Sequence, residues 1–148
     1  MTHGEKESGP NPSLTPVAKV KMGSVTLPQG ITNVVVGTGT RFLETYQELK
    51  CQLLGVPVKF SPLCGSADNG EKSETGVTVF LADGTPVNLS DYLVLIITAG
   101  VDLKVWINSL QDQTLLVVGR EFLGAIGYKN AQSGHLYQYD GGNVEEVP

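Results

Sequence analysis

Hydrophobic residues are densest between Tyr92 and Val118, and their spacing there is typical of β-strands. Residues 92–98 form an unbroken aliphatic and β-branched run, which favours a strand covered on both faces. After Ala99-Gly100 the pattern alternates, with one side formed by Val101, Leu103, Val105 and Ile107 and the other by Asp102, Lys104, Trp106 and Asn108. A polar turn over 108–113 leads to a third run over 114–118. We therefore predict an antiparallel meander in which Leu103, Val105 and Ile107 are buried while Asp102 and Lys104 are exposed.

Shorter apolar runs, separated by turn-forming residues, occupy the rest of the chain. The clearest pair flanks Asp83-Gly84, a preferred type I′ turn pair, and predicts a hairpin of residues 77–81 with 86–89. Further strands are predicted over residues 17–22, 24–27, 31–36, 56–60, 121–128 and 135–139. About nine or ten short strands at such intervals are typical of a sandwich or barrel. The predicted fold class is mainly β: an antiparallel β-sandwich or a jelly-roll-like domain.

One segment fits a helix better than a strand. Phe42, Tyr46, Leu49 and Leu53 recur at helical spacing, so a short helix over 42–49 is predicted. The residues that follow, 50–59, also alternate as a strand would. Whether residues 42–49 are helix or strand therefore stays open, and a helix here would suit an α+β domain equally well.

The N-terminus differs in composition from the rest. Residues 1–16 are polar, contain prolines at positions 10, 12 and 16, and show no periodicity, so they predict an extended N-terminal arm. Residues 17–148 are predicted to form a single β domain, since 148 residues are too few for two comfortable ones. Such an arm adds little to the fold and has to be ordered by another chain. Pro10, Pro12 and Leu14 are its candidate contact residues.

Charge and cysteine content exclude several classes of partner. The net charge is −5 and the basic residues are scattered, which argues against nucleic-acid binding. No signal peptide or bilayer-spanning segment is visible, so a cytoplasmic protein with no membrane partner is expected. Cys51 and Cys64 lack nearby histidines, so they predict free thiols and no metal site.

No motif predicts a catalytic site or a cofactor. The segment 34–42 (VVVGTGTRF) opens like a dinucleotide-binding loop, but the third glycine is absent and no acidic residue ends the next strand at Phe60. A plain glycine-threonine turn is therefore favoured. His135 lies in a turn-like segment, and no nucleophile stands at a supporting spacing. The chain is predicted not to be an enzyme.

Aromatic residues are the best indication of a binding surface. Trp106 lies opposite the predicted core side of its strand, and Tyr137 and Tyr139 share one side of theirs. Aromatic side chains on a sheet can stack on sugars or anchor a protein contact. A second buried face of a sandwich would explain the same pattern, and both interpretations stay open.

An arm joined to a glycine-, threonine- and valine-rich β body, with turns such as Leu81-Ala-Asp-Gly-Thr-Pro86, resembles the small accessory proteins of tailed-phage virions, including capsid decoration and cement proteins. The resemblance implies a non-enzymatic assembly protein of the virion, made in the host cytoplasm, that forms homo-oligomers or binds neighbouring subunits through its arm and a sheet face. The alternative is a carbohydrate- or receptor-binding β-sandwich module that uses Trp106, Tyr137 and Tyr139.

Overall fold

A computed structural model describes residues 1–8, 12–37, 39–64, 78–80, 86–88 and 103–148. Within these ranges the helices are α1 (Pro16–Gly23), α2 (Thr40–Leu49), α3 (Leu103–Ser109) and α4 (Arg120–Ala125), with short 3-10 turns at Lys50–Gln52 and Pro62–Cys64. The strands in the same ranges are β1 (Asn33–Gly37), β2 (Val58–Ser61), β3 (Thr78–Phe80), β4 (Pro86–Asn88), β5 (Thr114–Val117), β6 (Tyr137–Asp140) and β7 (Asn143–Glu146).

The central element is a parallel sheet in the order β2-β1-β5. Val34 of β1 is opposite Val58 of β2 and Leu115 of β5, and both neighbours run parallel to β1. Parallel neighbours need crossover connections, and α2 supplies the one between β1 and β2. The predicted mainly β sandwich or jelly roll is therefore wrong: the described residues form an α/β arrangement with two small antiparallel hairpins, β3–β4 and β6–β7.

Apolar side chains cover the sheet on both faces. On one face, Val34, Val36, Leu115 and Val117 share a cluster with residues of α1 and α2. On the other face, Val35 and Val118 share a cluster with residues of α3 and α4. Parallel strands buried on both sides read as continuous apolar runs, which explains the sequence Val34-Val-Val36.

Two of the shorter predicted strands are helices in the structure. Residues 17–22 lie in α1, which begins with an N-terminal cap because the hydroxyl of Thr15 accepts a hydrogen bond from the Ala18 amide, and Pro16 occupies the first turn. The buried pair Ala18 and Met22 has i, i+4 spacing. Residues 120–125 form α4, whose Phe122, with Leu123 and Ile126, packs against the sheet.

The prediction for residues 42–49 is confirmed as helical, since α2 spans Thr40–Leu49. Its buried face carries Phe42, Thr45 and Leu49 at the spacing of one helix side.

The central prediction, a meander with Val105 in its core, is wrong for the described part. Residues 103–109 form α3, Lys104 is exposed, and Val105 is 66% exposed. Leu103, Trp106 and Ile107 are half-buried, at i, i+3 and i+4 spacing. Residues 92–98 and Asp102 lie outside the described residues, whereas residues 114–117 form β5 as predicted.

Both hairpins involve segments that the sequence singled out. Phe80 is opposite Pro86 in the β3–β4 pair, which confirms the predicted pairing, although the Asp83-Gly84 turn lies outside the described residues. Tyr137–Asp140 forms β6 close to the predicted strand. Its partner β7 occupies residues for which no strand was predicted, and the two strands meet at Gly141 and Gly142, both with positive φ.

The first residues of the chain belong to the same folded body. Met1 to Gly4 are buried, and Thr2 forms a parallel bridge with Val118, beside the end of β5. The Thr2 amide donates to the carbonyl of His135 over 3.0 Å, and the Thr2 hydroxyl donates to that of Gln132 over 2.6 Å. Residues 1–4 are therefore part of the core, which differs from the expectation of an arm that adds little to the fold. The boundary at residue 16 stays a prediction.

Candidate functional site

A cavity of about 630 Å³ lies between β5, α4 and the β6–β7 hairpin. Its volume is within the range of small-molecule sites, which are usually lined by apolar and aromatic side chains with a few polar groups. Apolar side chains line it from β5, α3, α4 and the hairpin, among them Leu116, Ile107, Ile126, Leu136 and Val144. The polar residues of the lining are mainly uncharged, and they include Asn108, Gln111, Gln113, Gln138, Tyr137 and Tyr139, with the acidic Asp112 and Asp140 beside them.

Strand β5 forms one wall of the cavity with its outer edge. The carbonyl of Gln113 accepts from the Thr32 amide over 3.1 Å, which shows that odd-numbered residues here face β1. Even-numbered residues face outward: the Leu116 carbonyl accepts from the Met1 amino group over 3.0 Å, and the Val118 amide donates to the Met1 carbonyl over 3.0 Å. Thr114 and Leu116 both line the cavity.

The opposite wall is the inner face of β6. Tyr137 and Tyr139 are half-buried. Gln138, which lies between them, and Asp140, which follows them, are exposed, as strand alternation requires. The Tyr139 hydroxyl donates to Oδ1 of Asn108 over 3.2 Å. This contact joins the hairpin to α3 across the cavity.

Tyr137 is held from two sides. Its hydroxyl accepts a hydrogen bond from the Gln132 amide over 2.8 Å, and its ring lies 5.0 Å from that of Tyr128. Burial raises the pKa of Tyr137 above its usual value, so the phenol stays protonated and neutral at physiological pH. The cavity therefore offers a neutral phenol at this position.

Trp106 lies next to this cavity. Its ring packs edge-on against Phe122 at 6.3 Å, with an interplanar angle of 77°. Phe122 and the helix neighbours of Trp106, Ile107 and Asn108, all line the cavity. The structure thus brings Trp106, Tyr137 and Tyr139 into one apolar cluster. Sequence reasoning had paired the two tyrosines but placed Trp106 on a strand.

Of the three arm residues predicted to contact another chain, the structure describes two, and both are buried. Leu14 is 2% exposed and belongs to the core cluster on the α1 and α2 side of the sheet. Pro12 is buried as well, and Pro10 lies outside the described residues. Leu14 and Pro12 therefore contact their own chain.

The glycine-threonine loop after β1 has its own structural role. A side chain at Gly37 would come within 2.9 Å of the Cys64 backbone and of the Phe42 ring, so glycine lets the 3-10 turn Pro62–Cys64 cross the end of β1. Gly39 has φ of 128° and precedes α2 without a side-chain cap. The carboxyl end of β1, where a parallel α/β sheet commonly binds ligands, is thus covered by the chain itself.

Arg41 and His3 form a buried polar pair behind this loop. The Arg41 Nε–H donates to Nε2 of His3 over 3.3 Å, which leaves the ring proton on Nδ1, where it bonds the Gly4 carbonyl over 2.6 Å. Burial, with the nearby positive charge of Arg41, lowers the pKa of His3 to about 4. Phe42 contacts both, under the Arg41 guanidinium at 4.4 Å and against the His3 ring at 5.1 Å.

The described residues hold no group of three or more histidine, cysteine, aspartate or glutamate side chains that could bind a metal ion. His135 pairs with Glu146 across the base of the β6–β7 hairpin. Cys51 is exposed and Cys64 is buried, and both are free thiols, as predicted. None of the helices in the described ranges is long and apolar enough to cross a bilayer.

Sequence reasoning missed the residues that make the cavity, above all Leu116, Leu136 and Asn108. Leu136 precedes Tyr137-Gln-Tyr139 in a recognisable strand, but no local pattern shows that this strand lies next to β5. Among the comparisons with known proteins, no family model matches the chain, and the curated proteins contain no detectable relative.

Proposed function

We propose that this chain is a non-catalytic binding domain whose uncharged ligand occupies the cavity between β5, α4 and the β6–β7 hairpin. The observation that carries the proposal is the cavity of about 630 Å³, which two tyrosines and several amides line beside a continuous apolar wall. Sites of this kind bind by excluding water from an apolar surface, while a few polar groups set the orientation of the ligand.

The lining supports an uncharged ligand, since its two acidic residues, Asp112 and Asp140, are both exposed to solvent. Amides and neutral phenols both donate and accept hydrogen bonds, so they match hydroxyl or amide groups of a ligand without an ion pair. No lysine, arginine, histidine or cysteine is among the cavity-lining residues in the described part of the chain. A nucleophile–base pair of the kind used in hydrolysis is not supported by this lining.

The assembly role expected from the sequence remains a prediction, but the way in which the chain would bind a neighbouring subunit differs from the one expected. Leu14 and the first four residues pack within their own domain, so they do not support binding of a neighbouring subunit through a free arm. A segment of a partner protein entering the cavity would serve the same role. That the assembly is a virion rests on the resemblance alone.

The proposal is tested with a library of small uncharged fragments, followed by amide and methyl NMR of isotope-labelled protein. We expect shifts confined to residues around the cavity, including Leu116 and Leu136. Tyr139→Ala should abolish them, because it removes the ring and the bond to Asn108. Val105→Ala is the matched control, since Val105 is exposed on the helix that carries Asn108 and does not line the cavity. Fragments that bind elsewhere, or none that bind, would overturn the proposal.

A further inference from the structure

Within the described residues, the outer edge of the parallel sheet is covered over only part of its length. Met1 to His3 run along the end of β5, where the His3 amide donates to the Val118 carbonyl over 3.1 Å and the Met1 amino group donates to the Leu116 carbonyl over 3.0 Å. Among the described residues, no backbone hydrogen bond continues this pairing toward Thr114. Met1, Thr114 and Leu116 all line the cavity.

The backbone of β5 is oriented to pair with something in the cavity. Strand alternation directs the amide and carbonyl of Thr114, and the amide of Leu116, to the same side as the Leu116 carbonyl that accepts from Met1. An edge of this kind is a template for another strand, and natural proteins usually cover or block it. In this protein the outer edge of β5 faces the cavity beside the β6–β7 hairpin.

The walls suit the alternating side chains of an extended chain. Leu115 belongs to the cluster on the α1 and α2 face of the sheet, and Leu136 packs against that cluster. Leu116, Tyr139 and Val144 pack with the cluster on the other face. A strand added beside β5 would therefore place successive side chains against one apolar cluster and then the other.

We propose that the ligand is an extended, uncharged peptide segment of a partner protein, which adds to the outer edge of β5 as a further strand. The inference rests on the proposed function and names its ligand. In such recognition the backbone hydrogen bonds give affinity and the side-chain contacts give specificity. Apolar or small uncharged residues at successive positions are expected, because both walls are apolar.

The test uses an array of acetylated and amidated pentapeptides that contain only Val, Leu, Thr, Ala and Asn. The tightest binder is resynthesised with a single N-methyl group at each position in turn, and its affinity for the intact protein is measured by calorimetry. N-methylation removes one backbone donor, so we expect losses of about tenfold or more at alternate positions and small changes between them. The amides of Thr114 and Leu116 should shift on binding, and Tyr139→Ala should weaken binding while Val105→Ala does not.

The outcomes separate this inference from the proposed function. Fragments that bind in the cavity without any pentapeptide binding would overturn the peptide assignment and leave the binding domain standing. Binding of a neutral glycan in place of peptides would do the same. Equal losses at every N-methylated position would show that the strand pairing is wrong. If neither fragments nor peptides bind, both proposals fail.

Discussion

Val105→Asp distinguishes the helix seen in the structure from the strand that the alternating sequence predicts. On a central strand, residue 105 would be buried, and an aspartate there would place an unpaired charge in the core at a cost of several kcal/mol. On α3, the Val105 side chain is 66% exposed, so most of it already contacts water.

The expected loss of stability follows from the fraction of the Val105 side chain that is buried. Complete burial of an aliphatic side chain stabilises a protein by about 1.5–3 kcal/mol, so the third of Val105 that is covered contributes roughly 0.5–1 kcal/mol. Valine and aspartate have similar helix propensities, which adds little to the difference. We expect Val105→Asp to lower the free energy of unfolding by no more than about 1 kcal/mol.

The assay is urea unfolding followed by the fluorescence of Trp106, the single tryptophan, together with circular dichroism. Ile107→Asp is the matched comparison, because Ile107 is half-buried in the cluster around α4 and should lose at least about 2 kcal/mol by burying a charge. The reasoning would be refuted if Val105→Asp unfolded the protein, or if Ile107→Asp were as mild as Val105→Asp.

Three further predictions concern the buried His3, the close approach at Gly37 and the two cysteines. Because burial holds the folded pKa of His3 at about 4 against an ordinary 6.5, stability that is present above pH 6.5 should be lost as pH falls toward 4, and His3→Gln should flatten that part of the pH–stability curve. Gly37→Ala should cost about 1–3 kcal/mol in chemical denaturation, because its methyl group meets the Cys64 backbone; an unchanged midpoint would contradict the close approach. Without denaturant, Ellman's reagent should label Cys51 rapidly and Cys64 only on unfolding, since burial raises the pKa of Cys64 to about 12; equal rates would contradict the burial.

The local spacing of apolar residues predicted some elements correctly and others wrongly, and the reason is physical. In α2, Phe42 and Leu49 lie on one helix face, and no alternation competes with that spacing inside the element. In α3, the residues Leu103, Trp106 and Ile107 fit a helix, but Val105 completes a period-two pattern as well. A single exposed valine therefore made a short helix look like a strand, which periodicity alone does not resolve.

The sequence contains two signals for helices that the strand predictions did not use. Thr15-Pro16 is a typical N-terminal cap followed by a first-turn proline, and it marks the start of α1. The glycine-threonine loop between β1 and α2 marks a strand-to-helix turn, which is how a crossover between parallel strands begins. What local pattern does not contain is the pairing of Thr2 with Val118 or the position of the β6–β7 hairpin beside β5, because these depend on residues far apart in sequence. The cavity is made by those contacts.

The pairing of the first residues with β5 has a consequence for synthesis on the ribosome. The Met1 amino group contacts a carbonyl 115 positions away, and the Thr2 hydroxyl contacts one 130 positions away. Domains begin to fold as they emerge, at roughly 5–20 residues per second, and contacts between distant positions form slowly because a long loop must close first. The residues near Met1 leave the ribosome before β5 does, yet they reach their place only after β5 has been made, and until then no backbone hydrogen bond from the described residues covers the outer edge of β5.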